Sequence, residues 1–284
     1  MRYPPLKPSP SPSGPCRIAS LLLLGASLSA GCDGSRVGPR VGPAASTDTR
    51  EVTVAAAADL KPVLSDLIGH FERRHPAMEV KATYGSSGNL FAHISQNAPF
   101  DIFFSADVDY PRRLIEGGFA DADGEFVYAE GHIVVWVPNG SPLDLETLGI
   151  GAVTAPTVRR VAIANPRFAP YGRAAEAALK DLGVYEAVRD RLVLGDNVAQ
   201  AAQFVASGAA DVGIIARTLA LAPSMRGAGR FWPVPAGAHP PLKQGGVILS
   251  RARDRDATRL FREFVTGEEG RDVFRRHEFT VPEG

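Results

Sequence analysis

Apolar residues follow two different periods along the chain from residue 51 onward. The run EVTVAAAA (51–58) is almost continuously apolar, as in a buried strand. After it, apolar residues recur every three or four positions and predict one buried face of a helix. These residues are Leu60, Val63, Leu64, Leu67, Ile68 and Phe71.

The same alternation continues toward the C-terminus. Further strands are predicted over 78–85, 100–107, 132–138, 159–166, 211–217 and 245–250. Helices are predicted between them, around 90–94, 109–117, 172–183, 198–207 and 256–276. This order predicts an α/β protein with largely parallel sheets. It fits either one doubly wound sheet or two lobes with a ligand cleft between them.

The first 31 residues have the layout of an export signal. Three basic residues are their only charges, and the apolar run IASLLLLGASLSA (18–30) is too short to span a bilayer. Small residues follow, as at a cleavage site. We therefore expect residues 1–31 to be a signal peptide and the mature protein to be periplasmic or otherwise extracytoplasmic.

Of the two cysteines, only Cys32 remains once residues 1–31 are removed. A single cysteine in an exported protein has no disulfide partner within the chain. The segment SAGC (29–32) resembles a bacterial lipobox, so we expect Cys32 to be the lipidation site, with cleavage without lipidation as the alternative. Residues 32–50, rich in Gly, Pro, Ser and Thr, predict a flexible tether.

The net charge of the chain limits the kinds of partner that it is expected to bind. The chain has 31 basic and 31 acidic residues, and removing residues 1–31 takes away three basic residues and no acidic one. The mature protein is therefore mildly acidic, and we expect no nucleic-acid partner. After the first thirty residues no apolar run reaches the length of a membrane span.

Four strand-to-helix junctions carry the candidate chemistry. They are AADL (57–60), GSSG (85–88), NPRFAPYG (165–172) and GDNV (195–198). Each would present unpaired backbone N–H groups at a helix N-terminus, where partial positive charge attracts anions. Because such junctions lie at the carboxyl ends of parallel strands, the pattern predicts a ligand site there.

Larger blocks of the sequence resemble the periplasmic molybdate-binding protein family. In chain order they are VTVAAAADLKPVLSDLIGHF, YGSSGNLFAHISQNAPFDIFFSADVDYPRRLIEGG, IANPRFAPYGRAAEAALKDLG, DNVAQAAQFVASGAADVGIIA and FVTGEEGRDVFRRHEFTVP. The resemblance implies a two-lobed type II periplasmic-binding fold, with lobe 1 at 51–130 completed by 245–284, and lobe 2 at 131–244. It also implies delivery of molybdate or tungstate to the membrane permease of an ABC importer. We expect a monomer without cofactor or catalytic residue.

Position by position, the resemblance implies a site of neutral donors. Ser87 matches the family's ligand serine, and Tyr171 and Val198 match residues whose backbone N–H groups contact the oxyanion. Ala58 and Asp59 fall where the family has hydroxyl or amide side chains, so their backbone N–H groups are expected to serve. Molybdenum would enter only as the centre of molybdate, through Ser87, Tyr171 and Val198, with no other metal bound.

Asp59 is the departure with the largest physical consequence. At about 5 Å and an effective dielectric near 20, two unit charges interact by roughly 3 kcal/mol, and a dianion roughly doubles that. We therefore expect the Asp59 carboxylate to cap its own helix or to turn away from the cleft.

Other interpretations stay open at this point. Sulfate has nearly the chemistry of molybdate and differs in the cavity radius that it needs. An amino-acid ligand would require an arginine such as Arg167 or Arg173, and iron is disfavoured because the tyrosines are isolated. A serine hydrolase using Ser87 is also disfavoured, since GSSGN is not a nucleophile elbow. The six histidines offer no metal-binding pair at helical spacing.

Overall fold

The computed structural model describes residues 49–282, so the predicted signal peptide, Cys32 and nearly all of the predicted tether lie outside it. The described part contains ten strands and ten α-helices. The strands are β1 Arg50–Ala57, β2 Met78–Gly85, β3 Ile102–Ser105, β4 Ala120–Gly131, β5 Ile133–Pro138, β6 Val161–Ala164, β7 Leu192–Gly195, β8 Val212–Ala216, β9 Gly229–Pro233 and β10 Leu242–Leu249. The helices are α1 Lys61–Arg74, α2 Ser87–Ser95, α3 Asp109–Glu116, α4 Leu145–Leu148, α5 Pro170–Asp181, α6 Tyr185–Val188, α7 Val198–Ala206, α8 Arg217–Ala220, α9 Arg255–Thr266 and α10 Glu268–Arg276.

The first sheet has the strand order β2-β1-β3-β10-β4. Strand β1 pairs in parallel with β2 and β3, and β10 is antiparallel to β3 and β4. A 3₁₀ turn, Ala58–Leu60, joins β1 to α1. Helix α1 buries Val63, Leu64, Leu67 and Phe71, which confirms the apolar face predicted from the sequence.

The second sheet has the order β7-β6-β8-β5-β9. Strand β6 pairs in parallel with β7 and β8, and β5 is antiparallel to β8 and β9. The chain enters this sheet between Gly131 and Ile133 and returns to the first sheet between Pro233 and Leu242. The α/β class and the arrangement with two lobes are therefore confirmed, and the single doubly wound sheet is excluded.

Three features of the fold differ from the sequence prediction. Both sheets are mixed rather than largely parallel, because β10 and β5 each run antiparallel to both of their neighbours. Strands β4, β7 and β9 were not predicted, and all three lie at sheet edges, where apolar burial on both faces is absent. The helix predicted over 256–276 is two helices, because the backbone is extended at Gly267 (φ −72°, ψ 178°).

The helices of the described part are short. Helix α1 has 14 residues, and α5 and α9 have 12 each. None within residues 49–282 has the length and apolarity that crossing a bilayer requires.

Candidate functional site

The four junctions predicted from the sequence meet around one small cavity between the two sheets. It encloses about 180 Å³ of empty space, open solvent at its mouth included. All five predicted site residues line it. The complete lining is Ala57, Ala58, Asp59, Gly85, Ser86, Ser87, Ala106, Ala169, Pro170, Tyr171, Asn197 and Val198.

Backbone N–H groups at three helix starts are available to a ligand. Helices α2 and α7 begin at Ser87 and Val198, and Tyr171 is the second residue of α5. The first N–H groups of a helix have no carbonyl partner in a preceding turn. The Asn197 side chain caps the next N–H groups of α7, those of Ala199 and Gln200, at 3.0 Å each. The cap therefore leaves the N–H of Val198 for the cavity.

Ser87 adds a side-chain donor to these backbone groups. Its side chain is fully buried, and its Oγ accepts a hydrogen bond of 3.0 Å from the backbone N–H of Ala106. A hydroxyl that already accepts keeps its own hydrogen for another acceptor. Ser87 therefore retains a hydroxyl hydrogen that it can donate to a ligand in the cavity.

Among the described residues, no Lys, Arg or His side chain lines this cavity. A negative ligand would be held by partial charges at helix starts and by one hydroxyl, as at other helix-terminal anion sites. Within residues 49–282 no cluster of three or more His, Cys, Asp or Glu side chains could hold a metal ion.

Direct contacts join the two sides of the cleft beside the cavity. The backbone N–H of Gly88 donates to the carbonyl of Phe168 at 2.8 Å. A Cβ atom at Gly88 would lie 2.7 Å from that oxygen, so the approach requires glycine. Nearby, the Arg173 guanidinium pairs with the Asp107 carboxylate and donates to the Tyr110 hydroxyl at 3.2 Å. These contacts correspond to a closed cleft.

The Asp59 side chain does not cap its helix, and that part of the expectation is wrong. The N-cap of α1 is Leu60, and no side chain caps the helix. The Asp59 carboxylate lies instead in the contact between lobes, where Oδ2 accepts from the Tyr171 hydroxyl at 2.9 Å and from Gln244 Nε2 at 2.7 Å. Because these two donors hold the carboxylate there, it does not turn away from the cleft. Thr218 Oγ1 also donates to the Asp59 carbonyl at 3.1 Å.

Burial changes the acid–base properties of this cluster. It raises the pKa of Asp59 from 3.8 to about 6, although hydrogen bonds from Gln244, Tyr171 and the residue's own N–H act to lower it. The pKa values of Tyr128 and Tyr171 lie well above 10, first because both are buried and second because Asp59 is close. Both tyrosines are therefore neutral hydrogen-bonding groups at physiological pH.

Sequence reasoning missed two members of this cluster. Gln244 is fully buried on β10, and Tyr128, on β4, donates to its Oε1 at 2.9 Å. A signal for Gln244 existed, since it is the one uncharged polar residue in LKQGGVIL (242–249). The role of the Tyr171 hydroxyl had no comparable signal, because the sequence pointed to its backbone N–H.

Comparison with known proteins agrees with this architecture. The profile of the bacterial extracellular solute-binding protein family matches residues 52–280. The molybdate-binding protein ModA of Rhodobacter capsulatus is 32% identical over 231 residues, covering 81% of this chain and 88% of that protein. The putative ABC transporter substrate-binding lipoprotein YvgL of Bacillus subtilis is 27% identical over 257 residues, covering 89% of this chain and 94% of that protein. The periplasmic molybdate-binding protein of Azotobacter vinelandii superposes with a TM-score of 0.76 at 29% identity, covering 82% of this chain and 100% of that one.

The chain therefore belongs to the bacterial extracellular solute-binding proteins, whose fold and interlobe cavity it has. Within that family it is a homologue of the ModA proteins.

Proposed function

We propose that this protein binds molybdate or tungstate in the cavity between its lobes and delivers the oxyanion to the membrane permease of an ABC importer. The convergence of four junctions from both sheets on one cavity without a cation is the observation that carries the proposal. The sequence and structural similarity to molybdate-binding proteins supports molybdate as the first ligand to test. Sulfate is the alternative within the same chemical class.

The small size of the cavity and its neutral donors favour a small anion over a larger organic ligand. The space that the centre of a water molecule can reach inside it is about 10 Å³, close to the room that one water molecule needs. Sites for larger organic ligands usually enclose about 300–1,000 Å³. A dehydrated anion needs fixed donors in place of water, and the helix starts with the Ser87 hydroxyl would supply them.

The same geometry suggests how binding and closure are coupled. Ala58, Asp59 and Ser87 lie after strands of the first sheet, and Tyr171 and Val198 after strands of the second. Only the closed cleft brings both sets of donors to one ligand, so the anion would favour closure. We propose lobe 1 as 51–131 with 242–284, and lobe 2 as 132–241, because β4 and β10 both lie in the first sheet and the bounds expected from the sequence would cut through them.

Calorimetric titration of the mature protein with molybdate, tungstate, sulfate and phosphate tests the ligand. We expect micromolar or tighter binding of molybdate or tungstate, about −8 kcal/mol or better, and sulfate at least tenfold weaker. Equal affinities for sulfate and molybdate would overturn the molybdate assignment and leave a general oxyanion carrier.

Export and anchoring complete the proposal. Residues 1–31 would direct the chain out of the cytoplasm, and lipidated Cys32 would hold it at the membrane through the tether 32–50. The Cys32→Ser variant should then be released into the soluble extracytoplasmic fraction. Lipidation of Cys32 is excluded if the Cys32→Ser variant is exported and cleaved and the wild-type protein is found in the soluble fraction to the same extent.

A further inference from the structure

Asp59 belongs to the lining of the proposed anion cavity, and its fully buried carboxylate has no counter-ion within residues 49–282. Asp59 is 0% exposed, and none of its contacts is an ion pair. Arg173 of α5 is paired with Asp107, and Arg217 of α8 is paired with Glu278 at 2.8 Å. On the helices and strands around Asp59 the remaining lysines and arginines are exposed; they are Lys61, Arg73 and Arg74 of α1, Lys180 of α5 and Lys243 of β10. His70 of α1 contacts Glu269 at 3.0 Å. Helix α7 carries no titratable side chain.

The two oxygens of this carboxylate have different surroundings. Oδ2 accepts two hydrogen bonds, one of them from the amide nitrogen of Gln244. The Gln244 amide is oriented by Tyr128, whose hydroxyl donates to its Oε1. Oδ1 is buried and has no hydrogen-bond partner among the described residues. A proton on Asp59 would therefore reside on Oδ1, because Oδ2 already faces two donors.

An oxyanion beside an ionised Asp59 would bring like charges together in a site without cations. One proton removes the conflict and supplies a hydrogen bond of the strong, charge-assisted kind. The hydroxyl protons of Tyr128 and Tyr171 are already donated within the cluster, to Gln244 and to Asp59. Burial raises the pKa of both tyrosines, so they stay neutral and neither takes up a proton when the ligand binds. The pKa of Asp59, about 6, lies close enough to neutrality for it to take one up.

We propose that Asp59 makes oxyanion binding proton-linked: in the occupied site one proton lies between Asp59 Oδ1 and a ligand oxygen. This inference rests on the proposed function and deepens it. Molybdate and tungstate carry no proton at neutral pH, so Asp59 must take one from solvent when they bind. A tetrahedral oxyanion that is itself protonated, such as hydrogenphosphate, would bring the proton with it and leave Asp59 as the acceptor.

Calorimetry of the mature protein with molybdate between pH 6.5 and 8.5 tests the linkage, using two buffers of different ionisation enthalpy to count protons. We expect uptake approaching one proton per molybdate at the upper end. The dissociation constant should rise about tenfold per pH unit above the pKa of Asp59, as single-proton linkage requires. Asp59→Asn, whose amide is a permanent donor, should bind with little pH dependence and no proton uptake. Asp123→Asn, which neutralises an exposed carboxylate on β4, is the matched control and should behave like the wild type.

The outcomes separate the inference from the proposed function. If wild-type protein binds molybdate with constant affinity over this range and no proton uptake, the linkage is wrong and the molybdate carrier stands. If it binds phosphate but not molybdate, and Asp59→Asn weakens phosphate, the shared proton stands and the molybdate assignment falls. Binding of no oxyanion by either protein overturns both. Circular dichroism checks the fold of each variant, and Asp59→Ser carries the same expectation if Asp59→Asn does not fold.

Discussion

Two regions of the first sheet each bury an aspartate, and the two residues differ in how completely they are hydrogen-bonded. Asp101, at the start of β3, is 1% exposed and accepts from the backbone N–H and hydroxyl of Thr53, both at 2.6 Å, and from the backbone N–H of Arg253 at 2.7 Å. Asp59 is equally buried, yet within residues 49–282 only its Oδ2 accepts hydrogen bonds from other residues. Because buried polar groups normally find partners, we propose that the incomplete set at Asp59 is completed by a ligand, whereas the full set at Asp101 has a structural role.

The largest effect expected from this comparison is at Asp101. Asp101→Ala removes the buried acceptor of the Thr53 N–H and hydroxyl and of the Arg253 N–H, and should lower the free energy of unfolding by about 3–5 kcal/mol. Urea denaturation at pH 7 measures it. The exposed control, Asp123→Ala, should change stability by less than about 0.5 kcal/mol. Stability of Asp101→Ala equal to the control would mean that Asp101 is not the structural member of the pair.

Removing the charge of Asp59 should raise the free energy of unfolding at pH 7, whereas removing Asp101 lowers it. The folded-state pKa of about 6 lies above the unfolded value of 3.8, so the folded protein binds more protons between these values. The contribution of Asp59 to the free energy of unfolding of the ligand-free protein is therefore greatest below pH 3.8. It falls by up to about 3 kcal/mol as the pH rises from 3.8 to 6 and does not change further above pH 6. Asp59→Asn should remove this loss and be more stable at pH 7. Urea denaturation between pH 4 and 7 compares the two proteins, and parallel pH profiles would contradict the raised pKa.

A smaller effect, on the affinity for molybdate, is expected at Ser87. Ser87→Ala removes a buried hydroxyl and should weaken molybdate binding by about 1–3 kcal/mol. Ser105→Ala is the matched control, because Ser105 is as buried as Ser87 but lies outside the cavity lining and bonds to the backbone of Asp107. It should lower stability and leave affinity nearly unchanged. An unchanged dissociation constant in Ser87→Ala would show that backbone groups alone act at this junction.

The smallest effect is expected at the rim of the cleft. Arg173 joins α5 to Asp107 and Tyr110 but is 42% exposed on its side chain, so Arg173→Ala should weaken binding by about 0.2–1 kcal/mol. The loss should shrink at high salt, because exposed charge pairs are screened. Arg167→Ala, an exposed arginine over the Phe168 ring, is the control. Equal effects of the two variants would mean that the bridge across the cleft does not favour closure.

Sequence periodicity predicted β1, β2, β6 and the helices after them, which carry three of the four junctions around the cavity. It missed the edge strands β4, β7 and β9, although β7 leads to the fourth junction. The edge strand β2 was recognised because its first buried positions, Met78 and Val80, alternate with exposed polar residues. The lining of the site followed from local signals, since glycines, hydroxyls and helix starts are visible in the sequence. The orientation of Asp59 was not predictable, because its partners Tyr171 and Gln244 lie 112 and 185 residues away.

A crystal structure with tungstate at pH 6.5, with the tungsten located by anomalous scattering, would show whether the oxyanion occupies the proposed site. We expect tungsten in the cavity between the lobes, with its oxygens within hydrogen-bond distance of Ser87 Oγ and of the N–H groups of Tyr171 and Val198. One oxygen should lie about 2.5–2.7 Å from Asp59 Oδ1, the separation of a charge-assisted O–H···O bond. Tungsten bound elsewhere, or an occupied cavity from which the Asp59 carboxylate has rotated away, would contradict this expectation.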